Sequence, residues 1–314
     1  MTGRRAYIII VAIGAILALV PLRYSDSRSM MGLAIGGVLF AAYAVGFNII
    51  FGNTRQLFLC VGALAGLGSY TSALLADRAG LPIVITVLAG TLMSAVIGSI
   101  LSWVAVSRSL DTIFVGIVTL TFSLSFENLL LGRRDLTGGE TGLTVSAGQG
   151  TFLGDNVTGY YFFLTLLIVY LAFYQWLQAS RYGWAFRALR SDEVSAELAG
   201  VNVTRYRVAG GAIGSALIGL AGALLAHHEG FISPSTFEFG HVDIRVLVML
   251  ALGGLGSTLA PVIGGVVFTV IDELLVSAGQ IRLLFYGLVT IALFLGFRRG
   301  IGPMVGDLLR RRSA

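Results

Sequence analysis

The chain has no lysine: all 21 of its basic residues are arginine. A Walker A loop needs a lysine on the nucleotide's β/γ-phosphates, and a Schiff base to a retinal or pyridoxal aldehyde needs a lysine amine, so both chemistries are excluded within it. If ATP drives this protein, another subunit binds the ATP. Cysteine is almost missing too: Cys60 stands alone in an apolar stretch, has no intramolecular partner, and reads as a small buried hydrophobe. The three histidines show no metal-ligand spacing, since His227 and His228 are adjacent in an expected outer loop and His241 is isolated. A nucleophile elbow and the paired-aspartate phosphate motif of membrane transferases are absent as well. The expectation is a chain that is not an enzyme and binds no cofactor.

Charge is the largest deficit. Only 12% of the 314 residues are charged while 56% are hydrophobic, 42 are glycine, and the mean hydropathy is +0.88. Apolar runs long enough to cross about 30 Å of hydrocarbon recur along the whole length. Backbone groups inside a bilayer must be satisfied within the segment, so the expected fold is all-α: a polytopic membrane protein with one transmembrane domain over 1–314. The net charge of +5 comes largely from loop and terminal arginines and reads as a topology signal, with no nucleic-acid partner implied.

The apolar runs lie near 7–22, 30–51, 57–76, 82–106, 112–131, 160–179, 207–226, 243–257, 259–277 and 281–297, about ten spans, or eight to ten because 243–257 is short and carries Arg245. The first follows Arg4 and Arg5 but offers no small-x-small cleavage site at Pro21-Leu22-Arg23-Tyr24, so it is expected to remain as a span. With the N-terminus inside, 14 of the 21 arginines fall on cytoplasmic segments. An even number of spans then places both termini in the cytoplasm.

Two interruptions stand out. Gly52-Asn53-Thr54-Arg55-Gln56 is a polar break between the second and third spans, either a broken helix lining a path or a tight cytoplasmic turn with one positive-inside arginine. Gly253-Gly254-Leu255-Gly256-Ser257, followed by Pro261, breaks helical continuity between two short spans, which could also form a re-entrant pair. The longest connection, 132–159, is expected on the outer side, as a docking or gating loop or as a solvated connector. Gly32 and Gly36, Gly62 and Gly66, and Gly210 and Gly214 recur at helical spacing and are expected at helix–helix contacts. Ionisable residues inside spans are few: Glu127, which pairing with Arg133 or Arg134 would explain, and Asp272 with Glu273, which point about 100° apart on a helix and so make no acid/base dyad.

The segment RALRSDEVSAELAGVN, Arg187 to Asn202, is the longest polar run in the chain. Ser191 can serve as an N-cap, acidic residues fill the first turn and Gly200 suits the C′ position, so a short helix is expected over 192–199. It is too polar to insert and too short to span. On the cytoplasmic side it can only lie at the interface or press into another protein.

This segment resembles the coupling stretch of the LivM-type permease subunits of branched-chain amino-acid (hydrophobic amino acid uptake) ABC transporters. Ser180, Gly183, Ala188, Arg190, Asp192, Glu193, Ala196, Gly200 and Val201 match that family's pattern. Further matches follow in order: the loop Thr137, Gly138, Gly139 and Gly142; Ala221-Gly222-Ala223 followed by Ile232, Ser233, Pro234 and Phe237; and Gly253 to Ser257 with Pro261 and Gly264. The resemblance implies a permease subunit of an ATP-binding cassette importer in a bacterial inner membrane. Its implied partners are two ATP-binding subunits carrying ATP and Mg, a homologous second permease subunit and an external substrate-binding protein.

The 180–206 segment would then couple to an ATP-binding subunit through Arg187, Arg190, Asp192, Glu193, Ala196, Glu197 and Gly200, while Asn53, Thr54, Gln56, Glu127, Gly138 and Gly139 are candidates for the translocation path. One departure bears on substrate. Where the family has Ser, Gly and His after the second span, this chain has Phe58, Cys60 and Val61, which leaves open another small amphipathic substrate such as urea, an amide or an aromatic acid. An ion-coupled secondary transporter using Asp272, Glu273 or Glu127 is the reading from a different class.

Overall fold

The structure is a computed structural model that describes residues 3–24, 27–145, 155–276 and 288. Helix dominates it. In chain order the helices are α1 (Gly3–Leu17), α2 (Val20–Tyr24), α3 (Arg28–Phe47), which runs on as a π-helical segment (Asn48–Asn53), α4 (Val61–Ala79), α5 (Ile83–Ser107) and α6 (Thr112–Gly132). There follow α7 (Arg134–Thr137), α8 (Asn156–Ala179), α9 (Arg181–Ser191), α10 (Glu193–Leu198), α11 (Val203–Glu229), α12 (Phe239–Gly253) and α13 (Ala260–Val276). The described strands are two residues long: β1 (Leu143–Thr144) pairs antiparallel with β2 (Phe231–Ile232).

Local chemistry sets the helix ends. Ser27, Asp155 and Asn202 cap α3, α8 and α11 by accepting the backbone N–H of Met30, Thr158 and Arg205, which satisfies donors that have no intrahelical partner. Pro82 precedes α5, and α4 and α11 both stop at glycines in the left-handed region, Gly80 at φ 59° and Gly230 at φ 67°.

Six described helices are long and apolar enough to span a bilayer: 6–23, 28–53, 83–107, 112–132, 156–179 and 203–229. Of the other expected spans, 57–76 begins as helix only at Val61, while α12 and α13 have 15 and 17 residues. Apart from residue 288, the one at 281–297 lies outside the described residues. In α12 and α13 the backbones come so close that a Cβ on Gly253 would fall 1.9 Å from the Ala260 carbonyl oxygen.

At the centre α4, α5 and α11 pack on a seam of small residues. Antiparallel α4 and α5 are joined where Ser94 Oγ donates to the Leu64 carbonyl at 2.8 Å and Ser72 Oγ to Thr86 Oγ1 at 3.1 Å. Ser69 donates from α4 to the Gly222 carbonyl of α11 at 2.6 Å, and a Cβ on Gly68 would lie 2.1 Å from the Gly219 oxygen. With lipid outside, helices gain little from hydrophobic association, so close backbone approach and interhelical hydrogen bonds hold them together. The residue distribution agrees. Gly, Ala and Ser fill the seam, while Leu88, Leu92, Ile100, Trp103, Ile113 and Phe114 are exposed.

The glycine expectations divide. Gly62, Gly66, Gly210 and Gly214 sit at tight contacts, but a Cβ at Gly32 or Gly36 would meet nothing within 4 Å. On α3 the close positions are Gly37, against Thr269, and Gly46, against the Gly214 carbonyl. A G-x-x-x-G spacing marks one helix stripe, and the neighbours decide whether that stripe is the contact face.

Candidate functional site

The expected short helix exists with its boundary moved by one residue. Asp192, in extended geometry, is the N-cap of α10, with Oδ1 accepting from Ser195 N at 3.1 Å. Ser191 instead closes α9, its hydroxyl donating back to the Arg187 carbonyl at 3.1 Å. Two helices therefore stand where one was expected, with Arg187 and Arg190 on α9, and Glu193, Ala196 and Glu197 on α10. Gly200 has φ 83°, as a residue just past a helix end often does. The Ser195 N–H holds the Asp192 carboxyl below its ordinary pKa against some desolvation, and the Arg55 charge adds to this.

This pair of helices has an inner and an outer face. Gly183, Ala185, Phe186 and Leu189 of α9 and Ala196 of α10 are buried against the chain's own body. Glu193 forms an ion pair with Arg207 of α11 at 2.7 Å. Asp192, Glu197 and Gly200 remain exposed, and beside them stand Trp184, Val194 and Leu198 at 70%, 66% and 85% exposure. Arg187 stacks its guanidinium 4.5 Å above the Trp184 ring and donates to the Gln178 carbonyl at 2.8 Å. The charged residues dominate the sequence of this segment; its exposed apolar residues, two of them four positions apart on α10, become visible only when the buried face is known.

Directly beneath lies the first interruption. A π-helical stretch is rare, and is found frequently at functional sites. Asn53 Oδ1 accepts from Gln178 Nε2 at 2.9 Å and Tyr174 hydroxyl at 3.2 Å, two residues one turn apart on α8. Thr54 Oγ1 donates to the Ile50 carbonyl at 2.5 Å, and Gln56 Oε1 accepts from Ser102 Oγ at 2.7 Å. Residues 55–60 then run without helix beside α6, where Thr112 Oγ1 donates to the Arg55 carbonyl and Leu59 N to Thr119 Oγ1 at 2.9 Å. Asn53, Thr54 and Gln56 are 3%, 1% and 2% exposed, so these side chains are enclosed by this chain as it stands, while Arg55 between them is exposed. Phe58, Cys60 and Val61 are buried with it.

The second interruption meets the first. Between α12 and α13 the backbone turns at Gly254 (φ 93°) and Gly256 (φ 76°). Asn48 of the π segment joins the two breaks with both ends of its amide: Oδ1 accepts from Gly256 N at 2.8 Å and Nδ2 donates to the Ser257 carbonyl at 2.9 Å. A Cβ on Gly52 would lie 2.8 Å from Gly256 N, and one on Gly256 would strike Arg190 NH1 at 1.8 Å. Gln175 Oε1 accepts from Thr258 Oγ1 at 3.0 Å. Arg190 of the polar segment thus lies over the junction of both breaks.

A third feature was not read from the sequence. The first N–H groups of α4, Val61 and Gly62, donate to Asp243 Oδ1 and Oδ2 at 2.5 and 3.2 Å, and Asp243 is 2% exposed. An aspartate at the start of an apolar run was the available signal; the neighbouring Arg245 is the charge that stands out there. The first N–H groups of a helix have no intrahelical acceptor, and the Asp243 carboxyl supplies one for each of these two inside the apolar core.

The expected path residues do not form one group. Asn53, Thr54 and Gln56 lie near the Thr112 end of α6, Glu127 and the Gly138-Gly139 turn near its other end. No ion pair joins Glu127 to Arg133 or Arg134; it lies within electrostatic reach of Glu238. Gly138 and Gly139 have φ 74° and 57° and belong to a turn that leads into the β1–β2 pair. His227 is fully buried on the last turn of α11, with Nε2 2.8 Å from Ser72 Oγ, and is no loop residue. Asp272 and Glu273 fall in α13, and their side chains lie outside the described residues. Among the described residues no group of three His, Cys, Asp or Glu could hold a metal.

Long apolar helices, two mid-chain breaks and a polar helical pair at one end define a polytopic helical membrane protein with an irregular interior. Residues 29–297 match the family described as "Branched-chain amino acid transport system / permease component", and the chain belongs to that family. It is similar to the high-affinity branched-chain amino acid transport system permease protein LivM of Salmonella typhimurium, 28% identical over 91% of this chain and 73% of that protein. The LivH permease protein of the same system in Escherichia coli is 26% identical over 80% of this chain and 86% of its own length. The fructose import permease protein FrcC of Rhizobium meliloti is 25% identical, over 75% and 71%. No solved structure matches the chain.

Proposed function

We propose that this chain is the transmembrane permease subunit of an ATP-binding cassette importer for branched-chain or related hydrophobic amino acids, set in the bacterial inner membrane with both termini cytoplasmic. The observation that carries this reading is the family match across residues 29–297. Its working partners are two ATP-binding subunits that hold and hydrolyse ATP with Mg, a homologous second permease and an external protein that captures substrate. The chain itself is no enzyme.

In this reading α9 and α10 dock on an ATP-binding subunit. Leu198 and Val194 are the apolar anchors, with Trp184 beside them. A few residues buried at the centre of an interface, inside a polar rim, carry most of its binding energy, and here Asp192, Glu197 and Arg187 form that rim. Ala196 and Glu193 act within the chain, Ala196 buried and Glu193 holding α10 to α11 through Arg207. Closure of the ATP-binding pair then moves the helices beneath, and substrate passes between this permease and its homologue.

The test is reconstitution in liposomes with the neighbouring transport subunits. Leucine uptake that needs ATP, both permeases and the capture protein is the expected result. Uptake by this chain alone, driven by an ion gradient, would replace the reading with that of a secondary transporter.

A further inference from the structure

We infer that Asn48, Gly256 and Arg190 form a latch that closes both helix breaks together and passes motion from α9 to them; this rests on the coupling role proposed above. Arg190 is then a transmitting residue inside the permease and no docking contact.

Three observations converge on this assignment. Asn48 uses both its donor and its acceptor on the backbone of Gly256 and Ser257, 208 and 209 positions along the chain, so the two breaks cannot separate while its side chain stays in place. A Cβ on Gly52 would lie 2.8 Å from Gly256 N, and one on Gly256 3.2 Å from the Gly52 oxygen, so the breaks meet backbone to backbone. The Arg190 guanidinium sits against Gly256, its charge reaches the Tyr174 hydroxyl, and among the described residues no carboxylate pairs with it. The C-terminal end of α12, at Gly253, and that of the π segment, at Asn53, both lie in this region. Helix C-termini carry partial negative charge, which favours a guanidinium nearby. A shift of α9 withdraws that charge from both ends at once.

The chemistry suits a latch that must open. Its hydrogen bonds are neutral, from a side-chain amide to backbone, so they exchange readily for other partners. Gly254 and Gly256, already at positive φ, supply the backbone freedom. Coupling requires a junction whose arrangement a neighbouring element can bias, and neutral bonds beside left-handed glycines suit that role.

The experiment uses the whole importer in proteoliposomes with Asn48→Ala, Arg190→Ala and the double variant. It reads co-purification of the ATP-binding subunits, ATP hydrolysis and leucine uptake. The latch predicts intact assembly, hydrolysis within about twofold of the parent, and leucine moved per ATP lowered about tenfold, the scale of a single coupling free energy. The double variant should be no worse than either single one, since both break the same step. Arg190→Lys should recover part of the loss. Unchanged leucine per ATP in Arg190→Ala overturns the latch. Loss of the ATP-binding subunits from Arg190→Ala also overturns it, by making Arg190 a docking contact, and leaves the proposed function standing. If Asn48→Ala does not reach the membrane, the exposed Arg190 decides alone. An unmodified chain that retains no ATP-binding subunit sinks the proposed function first and the latch with it.

Discussion

The start of α4 and the junction of the π segment with residues 253–257 are both places where helix stops inside the apolar core, yet different chemistry holds them. At α4 a buried carboxylate, Asp243, takes two backbone N–H groups. At the junction a neutral amide, Asn48, bridges two backbone positions beneath an exposed arginine. Asp243 serves two neighbouring donors at one helix start, whereas Asn48 joins two separate breaks by neutral bonds of about 0.5–1.5 kcal/mol each. The first break is therefore an anchor and the second a hinge. Both interrupt the helical ladder; only the second lies beneath the exposed pair α9 and α10.

That contrast can be attacked from either side. The largest effect belongs to Asp243→Ala, which leaves two buried donors without an acceptor and should cost about 2–6 kcal/mol, at roughly 1–3 kcal/mol for each orphaned group. Folded yield and thermal unfolding in detergent measure it; a variant as stable as the parent would end the anchor description. Asn48→Ala also frees two backbone groups, Gly256 N–H and the Ser257 carbonyl, but at a junction able to rearrange, so its stability loss should be smaller, about 1–2 kcal/mol. If Asn48→Ala unfolded the protein as readily as Asp243→Ala, the distinction between anchor and hinge would disappear.

Smaller effects sharpen the description of the segment above the hinge. Glu193→Ala removes an ion pair whose partners are 16% and 43% exposed, and such pairs contribute at most about 1 kcal/mol. Thermal unfolding should barely register it. Asp192 gives the smallest effect, visible only in acid. Its folded pKa is lowered, chiefly by the Ser195 N–H, so the cap's contribution is fully present above the ordinary carboxylate pKa and fades as pH falls through the lowered folded value. Binding of the ATP-binding subunits by the parent and by Asp192→Asn should therefore keep a constant ratio from pH 8 down to about pH 4, the ordinary aspartate value, and change only below it. A ratio that moves near neutrality would mean that Asp192 is not held as the cap describes.

Both breaks were legible in the sequence, because GNTRQ and GGLGS interrupt apolar runs with residues that helices avoid. Their meeting was not. Asn48 and Gly256 are 208 positions apart, and an asparagine just before a break gives no sign of which distant backbone it will bridge. The short helix was legible from its caps, but Ser191 and Asp192 are both good N-cap residues; Asp192 holds the position because the Ser191 hydroxyl is spent on the Arg187 carbonyl. Charge drew the expected interface toward Glu193, which the structure turns inward to Arg207. Leu198 and Val194 emerge as surface residues only because Ala196, lying between them, is the buried one. Span counting met its limit at α12 and α13: α12 has 15 residues, α13 is described only as far as Val276, and tight glycine contacts hold the two against each other.

The most direct test of the account is binding of the ATP-binding subunits to the Leu198→Asp variant. Leu198 is 85% exposed and touches little of its own chain, so the fold should be kept. The account predicts a normally folded permease whose affinity for the ATP-binding subunits falls at least about tenfold, as loss of a central apolar anchor does, with uptake falling in step. Unchanged affinity and unchanged uptake would contradict it.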